Sequence, residues 1–211
     1  RDPNKQPVGY SMAAPPTGIL LFPDSEDDAR AKFQEDNKSS LQHLRMVGDN
    51  GKMIKSLNQK NTNYCWNYSL TTAALLLDAQ MGIPPRKLSS CSVGAPMVGG
   101  RNEGGWGALA LERARSVGWN LVDDWPELSR DLKYDNAANR AKAALNKVTA
   151  DWCDIQSPVY DKNMTERQVT CCLLADVPKP VVMDLMWWGH AIVCIRQLRI
   201  EAGRWGRVLD R

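Results

Sequence analysis

An apolar stretch that begins at Cys65 and ends before Gly82 constrains the fold of this 211-residue chain more than any other segment. Its apolar residues recur at helical spacing, so the sequence predicts an α-helix over residues 65–81. Gly82 can end such a helix as a C-cap, and Pro84 and Pro85 cannot continue it. The predicted helix therefore starts at the cysteine itself.

Cys65 in the first turn of this helix is placed as a thiol nucleophile would be. A thiol reacts as its anion, and the unpaired N–H groups and positive dipole end of a helix N-terminus favour an anion. Gln59, six residues earlier, offers a side-chain amide that can serve as an oxyanion donor. A lone cysteine at a helix start is more often a small buried residue, so both interpretations are open at this point.

The chain has two histidines, His43 and His190. His190 begins the apolar run 190–195, which is typical of a buried strand, and it is the natural proton partner for Cys65. A histidine on an apolar strand is more often a satisfied core residue, which is the competing interpretation. His43 lies in a short amphipathic segment and is expected to face solvent.

Composition excludes several classes of protein. Lysine and arginine number 27 against 24 acidic residues, and the net charge of +3 is too small and too dispersed to indicate nucleic-acid binding. The longest apolar runs, such as 73–77 and 191–195, are far shorter than the roughly 20 residues that cross a bilayer. No residue cluster in the sequence looks like a metal or nucleotide site. We expect a globular protein with no cofactor, no nucleic-acid partner and no membrane partner.

The six cysteines are too few and too irregularly spaced for a disulfide scaffold or a zinc site. No Cys-x-x-Cys motif is present. Small buried thiols are common on helices and strands. We interpret five of the six as structural: Cys91, Cys153, Cys171, Cys172 and Cys194.

Hydrophobic periodicity divides the chain into an arm and two further parts. Residues 1–48 combine five prolines with a charged stretch and are expected to form an arm or a propeptide-like extension. Residues 49–120 are predicted to be a helical subdomain that holds Cys65, and residues 121–211 a β-rich subdomain that holds His190. The chain does not begin with Met, so we expect it to be trimmed or part of a longer product.

Beyond the helix at Cys65, the pattern predicts further elements. Helices are predicted over 108–117, 137–148 and 165–175. Strands are predicted over 181–185, 190–195 and 206–209. Helices thus dominate to about residue 175 and strands the remainder, which places the chain in the α+β class.

The segment around Cys65 resembles that of papain-like cysteine peptidases. The family has Asn-Gln-Gly, four further residues and then Cys-Trp. Asn58, Gln59, Cys65 and Trp66 keep both identity and spacing, while Lys60 replaces the Gly. The separation between the glutamine and the cysteine is the specific part of this match.

Two later segments extend the resemblance. Residues 102–106, Asn-Glu-Gly-Gly-Trp, are similar to the Asn-Gly-Gly segment that lines the family's substrate cleft, with one extra residue. Residues 189–192, Gly-His-Ala-Ile, resemble the strand that carries the family's histidine. The resemblance covers about residues 50–211 and leaves the arm without a counterpart.

The resemblance implies a papain-like fold, in which a helical left subdomain and a β-sheet or barrel right subdomain enclose the active site. It implies that Cys65 attacks an amide carbonyl, that His190 transfers the proton and that Gln59 stabilises the oxyanion. The implied activity is that of a cysteine endopeptidase.

The resemblance also implies which residues bind the substrate. Gly104, Gly105 and Trp66 would line the cleft, and the substrate would be a protein or peptide, or an isopeptide or peptidoglycan amide. Without the family context, Gly104-Gly105 can equally be a turn.

The sequence departs from the family at two points, and each departure leads to a further expectation. Thr62 stands where secreted and lysosomal members have a disulfide-forming cysteine, so a cytoplasmic or virion-associated setting is favoured over the lysosome. The family's orienting Asn is not found, and we expect it just beyond Arg211. Disulfide-poor chains of this kind resemble ones encoded by bacteria and their phages, sometimes among structural genes.

A second class of function stays open. A papain-like domain can also serve as a structural or interaction protein, for example a phage virion component, with weak or no catalytic activity. The arm and the missing Asn motivate this alternative, since such an arm can contact other structural proteins or cover the cleft. Reaction of Cys65 with a thiol reagent distinguishes the two classes.

Overall fold

The structure is a computed structural model that describes residues 57–148, 168–169, 172–173, 179–185, 189–194, 199–201 and 204–206. The arm predicted over residues 1–48 lies outside these ranges. His43, Cys153, Cys171 and the end of the chain at Arg211 lie outside them as well.

The described residues form helices first and short strands afterwards. The helices are α1 (Cys65–Gln80), α2 (Cys91–Met97), α3 (Gly107–Ser116) and α4 (Ala137–Ala143). Single 3-10 turns occur at Leu132–Tyr134 and Ala144–Asn146. The strands are β1 (Val181–Leu185), β2 (His190–Cys194), β3 (Arg199–Glu201) and β4 (Arg204–Gly206). Helical backbone is also present at residues 168, 169, 172 and 173.

Most of the predicted elements are confirmed. α1 begins at Cys65 as predicted, and β1 has the predicted bounds. The helix predicted over 137–148 is shorter, because it ends at Ala143 and tightens into a 3-10 turn. The strand predicted over 206–209 overlaps β4 only at its first residue, and 207–209 lie outside the described part of the chain.

The sequence pattern does not predict α2. Its seven residues include Gly94 and Pro96, which the pattern marks as helix breakers. Tertiary packing explains why the helix forms nevertheless. A Cβ built on Gly94 would lie 3.2 Å from the amide nitrogen of Asn67 and 3.4 Å from the ring of Tyr64, so the glycine lets α2 approach α1 closely.

α1 is buried along almost its whole length. The apolar core around Trp66, Leu70 and Leu75 draws side chains from every neighbouring element. These include Val93 and Ala95 of α2, Ala110 and Ala114 of α3, the following Trp119 and Trp125, and Ala191 of β2. The central helix is therefore covered on all sides.

Several buried polar groups around α1 are paired, although the Asn67 side-chain oxygen and the hydroxyls of Ser89 and Ser90 are buried without a hydrogen-bond partner. The indole N–H of Trp119 donates to the hydroxyl of Thr71 at 3.2 Å. Asp78 near the end of α1 is 6% exposed and forms an ion pair with Arg86. Arg86 also donates to Asn146 at 3.0 Å, which ties α1 to the turn after α4. Burying a carboxylate is tolerated here because the guanidinium is bound to it.

β1 and β2 form an antiparallel hairpin in which Val181 pairs with Cys194 and Leu185 with His190. Side chains alternate between the two faces of a strand, and the two faces of this hairpin pack differently. One face joins a second core with Val169, Cys172 and Leu173. The other face contributes Ala191 to the core around α1.

These observations place the chain in the α+β class, with helices followed by small two-stranded sheets. The core around α1 includes Trp125 and, at its edge, Val148. The division predicted at residue 120 stays a prediction. Among the described residues, no helix is long and apolar enough to cross a membrane.

The packing predicts different costs for alanine at two glycines. Gly82 and Gly118 both have positive φ, at 71° and 92°, so each loses about 1 kcal/mol from backbone strain as alanine. A Cβ on Gly82 meets nothing within 4 Å, whereas a Cβ on Gly118 would lie 1.9 Å from the carbonyl oxygen of Ala143. We expect Gly118→Ala to lower the free energy of unfolding by about 2 kcal/mol or more beyond Gly82→Ala, as measured by urea denaturation. Equal losses would contradict this packing.

Candidate active site

Cys65 is the first residue of α1 and is half-buried. The other described cysteines, Cys91, Cys172 and Cys194, are buried, as predicted for structural thiols. The first turn of α1 contains no acidic residue, and Tyr64 at the N-cap makes no capping hydrogen bond with its side chain. Among the described thiols, Cys65 therefore combines access to solvent with a helix N-terminus.

Gln59 lies in a tight turn before the cysteine and is half-buried. Its carbonyl oxygen accepts hydrogen bonds from the backbone N–H of Thr62 at 3.0 Å and from the Thr62 hydroxyl at 2.8 Å. Lys60 has a φ of 48°, in the left-handed region that favours glycine. This is the position at which the papain-like motif has a Gly.

Asn102 holds the loop before Cys65. Its side-chain oxygen accepts from the backbone N–H of Asn63 at 2.8 Å, and its side-chain nitrogen donates to the carbonyl of Asn61 at 3.2 Å. The Asn63 side chain in turn donates to the Asn102 carbonyl at 2.8 Å. The hydroxyl of Tyr64 adds a bond of 2.7 Å to the carbonyl of Arg101. Four hydrogen bonds thus join the cysteine loop to the loop that leads to Gly104.

Trp66 lies beneath the glycine loop. The indole is 2% exposed, and its N–H donates to the Glu103 carbonyl at 3.4 Å. A Cβ on Gly105 would lie 2.6 Å from the ring, whereas a Cβ on Gly104 would meet nothing within 4 Å. Trp66 therefore supports the backbone of Gly104 and Gly105, and both glycines are exposed.

His190 is the first residue of β2 and is half-buried. Its neighbour Ala191 belongs to the same core as Tyr64 and Trp66, the two neighbours of Cys65. β2 packs along α1. The fold thus brings the strand that begins with His190 to the helix that begins with Cys65.

The predicted site residues fall into two groups. Gln59, Cys65, Trp66 and the two glycines lie on segments that are joined by the turn, the hydrogen bonds and the ring contact described above. His190 comes from the hairpin, whose next residue, Ala191, belongs to the core that contains Tyr64 and Trp66, whereas His190 itself is not part of that core.

A buried polar cluster lies one turn further along α1. The Tyr68 hydroxyl donates to the Glu127 carboxylate, which also accepts from the backbone N–H of Ser90 at 3.3 Å. Burial raises the pKa of Glu127 above its usual range, although these hydrogen bonds oppose the shift. Burial and the Glu127 charge raise the pKa of the Cys91 thiol to about 11. Cys91 is therefore held as a neutral thiol and is inert as a nucleophile.

Sequence reasoning missed Asn102 and Thr62 as organising residues. The sequence pattern places Asn102 only in the segment that is predicted to line the cleft. In the structure, Asn102 also holds the loop before Cys65. In the sequence, Thr62 only marks the position where family members have a cysteine. In the structure, its hydroxyl donates to the Gln59 carbonyl and fixes the turn at Gln59. Short polar side chains that bond to nearby backbone are common in loops, but their long-range partners are not visible in a pattern.

Comparisons with family models, with curated proteins and with solved structures found no match to this chain. Within the described residues, no group of three or more His, Cys, Asp or Glu side chains could hold a metal ion.

The Trp66 contact predicts unequal effects of alanine at the two adjacent glycines. Gly105→Ala forces a methyl group against a buried indole, so we expect a loss of about 1–3 kcal/mol in the free energy of unfolding. Gly104→Ala has free space and should change the free energy of unfolding by no more than about 0.5 kcal/mol. Urea denaturation followed by tryptophan fluorescence measures both. Similar losses in the two variants would mean that Trp66 does not support this loop.

The raised pKa of Glu127 predicts a pH-dependent stability. Because the folded protein retains the Glu127 proton to a higher pH than the unfolded chain, this carboxyl contributes stability at low pH that is lost as pH rises through its raised pKa. Glu127→Gln cannot ionise. We expect the stability of the variant relative to wild type to increase between about pH 4 and about pH 7, measured by urea denaturation. A difference that does not vary with pH would contradict the shift.

Proposed function

We propose that this protein is a papain-like cysteine peptidase that hydrolyses amide bonds of a protein or peptide. The observation that carries the proposal is the shared core of Tyr64, Trp66 and Ala191, since these residues flank Cys65 and His190 in the chain. A nucleophile and a base from distant segments meet only if the fold joins those segments. Gln59 and Cys65 have the same spacing as in the papain-like motif, and this match indicates the proposed chemistry.

In the proposed mechanism, the Cys65 thiolate attacks the amide carbon and the carbonyl oxygen becomes an oxyanion. His190, as imidazolium, protonates the leaving amine when the intermediate collapses to a thioester. His190 then takes a proton from water, which attacks the thioester and releases the acid. The Cys65 thiolate and the imidazolium are regenerated at the end of the cycle.

Gln59 is proposed to stabilise the oxyanion together with the backbone N–H of Cys65. Thr62 supports this role because it holds the Gln59 carbonyl from two donors and so fixes the turn before the helix. Preorganised donors of this kind need no rearrangement when charge develops. The loss of one such donor typically costs about 2.7–4 kcal/mol of transition-state stabilisation.

The exposed backbone of Gly104 and Gly105 is proposed to bind the substrate in an extended conformation. Glycine allows another backbone to approach closely, and main-chain hydrogen bonds to an extended peptide are sequence-tolerant. The buried indole of Trp66 supports this surface from below. The substrate would then lie across the N-terminus of α1.

The proposed mechanism requires the imidazole of His190 to reach the sulfur of Cys65. Successive strand residues point to opposite faces, so the imidazole leaves β2 on the face opposite Ala191. His190 is the first residue of β2 and directly follows Gly189, which has a φ of 60°. The ring must therefore reach the sulfur around the end of the hairpin at which residues 186–189 connect the two strands.

The two cores support the finer fold proposal, in which two subdomains enclose a cleft. One core surrounds α1, and the other lies between the β1–β2 hairpin and the helical residues 169, 172 and 173. The hairpin takes part in both. A papain-like arrangement of this kind would place the active site where the two parts meet.

Alkylation combined with kinetics tests the proposal. We expect stoichiometric labelling of Cys65 by iodoacetamide in the folded, reduced protein, located by peptide mapping, and one labelled thiol fewer per chain in Cys65→Ser. His190→Ala should slow the labelling at neutral pH, because the thiolate loses its cationic partner. Gln59→Ala should leave the labelling rate unchanged and lower kcat about 10²–10³-fold on a peptide substrate, with little effect on KM.

Each variant tests one proposed role independently of the others. If Cys65 fails to react while the protein is folded, the structural or interaction alternative is favoured. If Gln59→Ala hydrolyses peptides as fast as wild type, the oxyanion assignment is wrong although the nucleophile stands. Asp123→Asn serves as a control, because Asp123 is exposed in the loop before α4 and is not part of the proposed site.

A further inference from the structure

The Asn102 side chain contacts two parts of the segment that precedes the candidate nucleophile. Its oxygen accepts at 2.8 Å from the backbone N–H of Asn63, which lies just before Tyr64 and Cys65. Its nitrogen donates at 3.2 Å to the carbonyl of Asn61, which lies in the turn after Gln59. Asn102 itself lies in the glycine loop, just before its two exposed glycines. One side chain thus connects the segments that carry the proposed nucleophile, oxyanion donor and substrate surface.

The same two loops are bonded at two further points. The Asn63 side-chain nitrogen donates to the Asn102 carbonyl at 2.8 Å, so that these two asparagines each use side chain and backbone to bind the other. Tyr64 is fully buried, and its hydroxyl donates to the carbonyl of Arg101 at 2.7 Å. The loop before the nucleophile is therefore bonded to the glycine loop from its exposed side and from its buried side.

These bonds restrict the glycine loop in a direction that the indole of Trp66 does not. The ring limits how closely the loop approaches, because a Cβ on Gly105 would lie 2.6 Å from it. An apolar contact is non-directional and does not stop the loop from sliding across the ring. Hydrogen bonds weaken steeply when donor and acceptor are displaced. The Asn63–Asn102 pair therefore fixes the lateral position of the glycine loop relative to the start of α1.

These exposed bonds supply position more than stability. Asn63 is exposed and Asn102 is half-buried, so water can bond to their polar groups when the pair is broken. A hydrogen bond that water can replace adds little net stability. Water does not hold two loops at one separation, however, and a displacement of about 1 Å can cost a reaction about 10²-fold in rate.

We propose that Asn102 is a positioning residue, which holds a peptide on the glycine loop at the distance from Cys65 and Gln59 that the attack requires. The inference rests on the proposed peptidase function and deepens it. Asn102 contacts neither the substrate nor the reacting atoms, and it acts through Asn61 and Asn63. Its loss should therefore impair reactions of a bound peptide and spare the reaction of a small molecule with the same thiol.

Two chloromethyl ketones test the assignment. One is an alanine-rich peptide that ends in the chloromethyl ketone, and the other is chloroacetone. In both reactions the sulfur of Cys65 bonds to the methylene carbon and chloride leaves. Peptide mapping assigns the label to Cys65, and each rate is divided by the rate with free cysteine. In wild type we expect the peptide reagent to react faster than chloroacetone.

The Asn102→Ala variant should separate the two reagents. We expect the peptide reagent to react about tenfold more slowly or less, while the rate with chloroacetone stays within about twofold of wild type. On a peptide substrate, kcat should fall about 10–100-fold with little change in KM, because the exposed glycine backbone is still present. Asn63→Ala repeats the test through the other side chain and should change the rates in the same direction.

Asn136→Ala is the matched control. The Asn136 side chain also makes two hydrogen bonds to backbone, from the N–H of Asn139 at 3.0 Å and to the carbonyl of Lys133 at 3.1 Å. It caps α4, which carries none of the proposed site residues. Loss of this cap should lower the free energy of unfolding at least as much as Asn102→Ala does, and should leave both labelling rates unchanged. A loss of rate that followed stability alone would appear in both variants.

The outcomes separate this inference from the proposed function. If no peptide is hydrolysed but the peptide reagent reacts faster than chloroacetone and loses this advantage in Asn102→Ala, the peptidase proposal fails and the positioning role stands. If Asn102→Ala hydrolyses peptides as fast as wild type, the peptidase stands and the positioning role is wrong. Equal slowing of both reagents, an equal loss in Asn136→Ala, or no advantage of the peptide reagent in wild type would also overturn the assignment.

Discussion

α1 is buried around its whole circumference, and this constraint shapes the rest of the structure. A helix of this kind is stable in water only when other elements cover every side. α2, α3 and the β1–β2 hairpin supply that cover. Because the helix begins with Cys65, the core that buries α1 extends to this cysteine, which packs at its edge. Burial of one helix thus determines which segments can meet at the candidate site.

Much of this arrangement was predictable from the sequence. The period of the apolar residues gave α1, α3 and the β1–β2 hairpin with nearly correct bounds, because long periodic segments and short alternating runs are the strongest local signals. Cys65 is half-buried whereas the other described cysteines are buried, and its role as the nucleophile stays a prediction. The assignment of peptidase chemistry stays a prediction from the motif and from the shared core.

The remainder depends on contacts between distant segments. α2 forms although it contains Gly94 and Pro96, because close packing against α1 outweighs weak helix propensity. Asn102 clamps the cysteine loop from about forty residues away, and no periodicity reveals such a bond. The face of the β1–β2 hairpin that packs against α1 follows from the strand register, which a single sequence does not specify.

The loop before Cys65 is held by neutral hydrogen bonds from Asn102, Asn63 and Thr62, and the described cysteines are all free thiols. A nucleophilic thiol works only while it is unoxidised, and a scaffold held by disulfides needs the opposite condition. In the described part of this chain the two requirements do not conflict. Strong reductants would therefore keep the Cys65 sulfur reduced without breaking a disulfide in the described part of the chain.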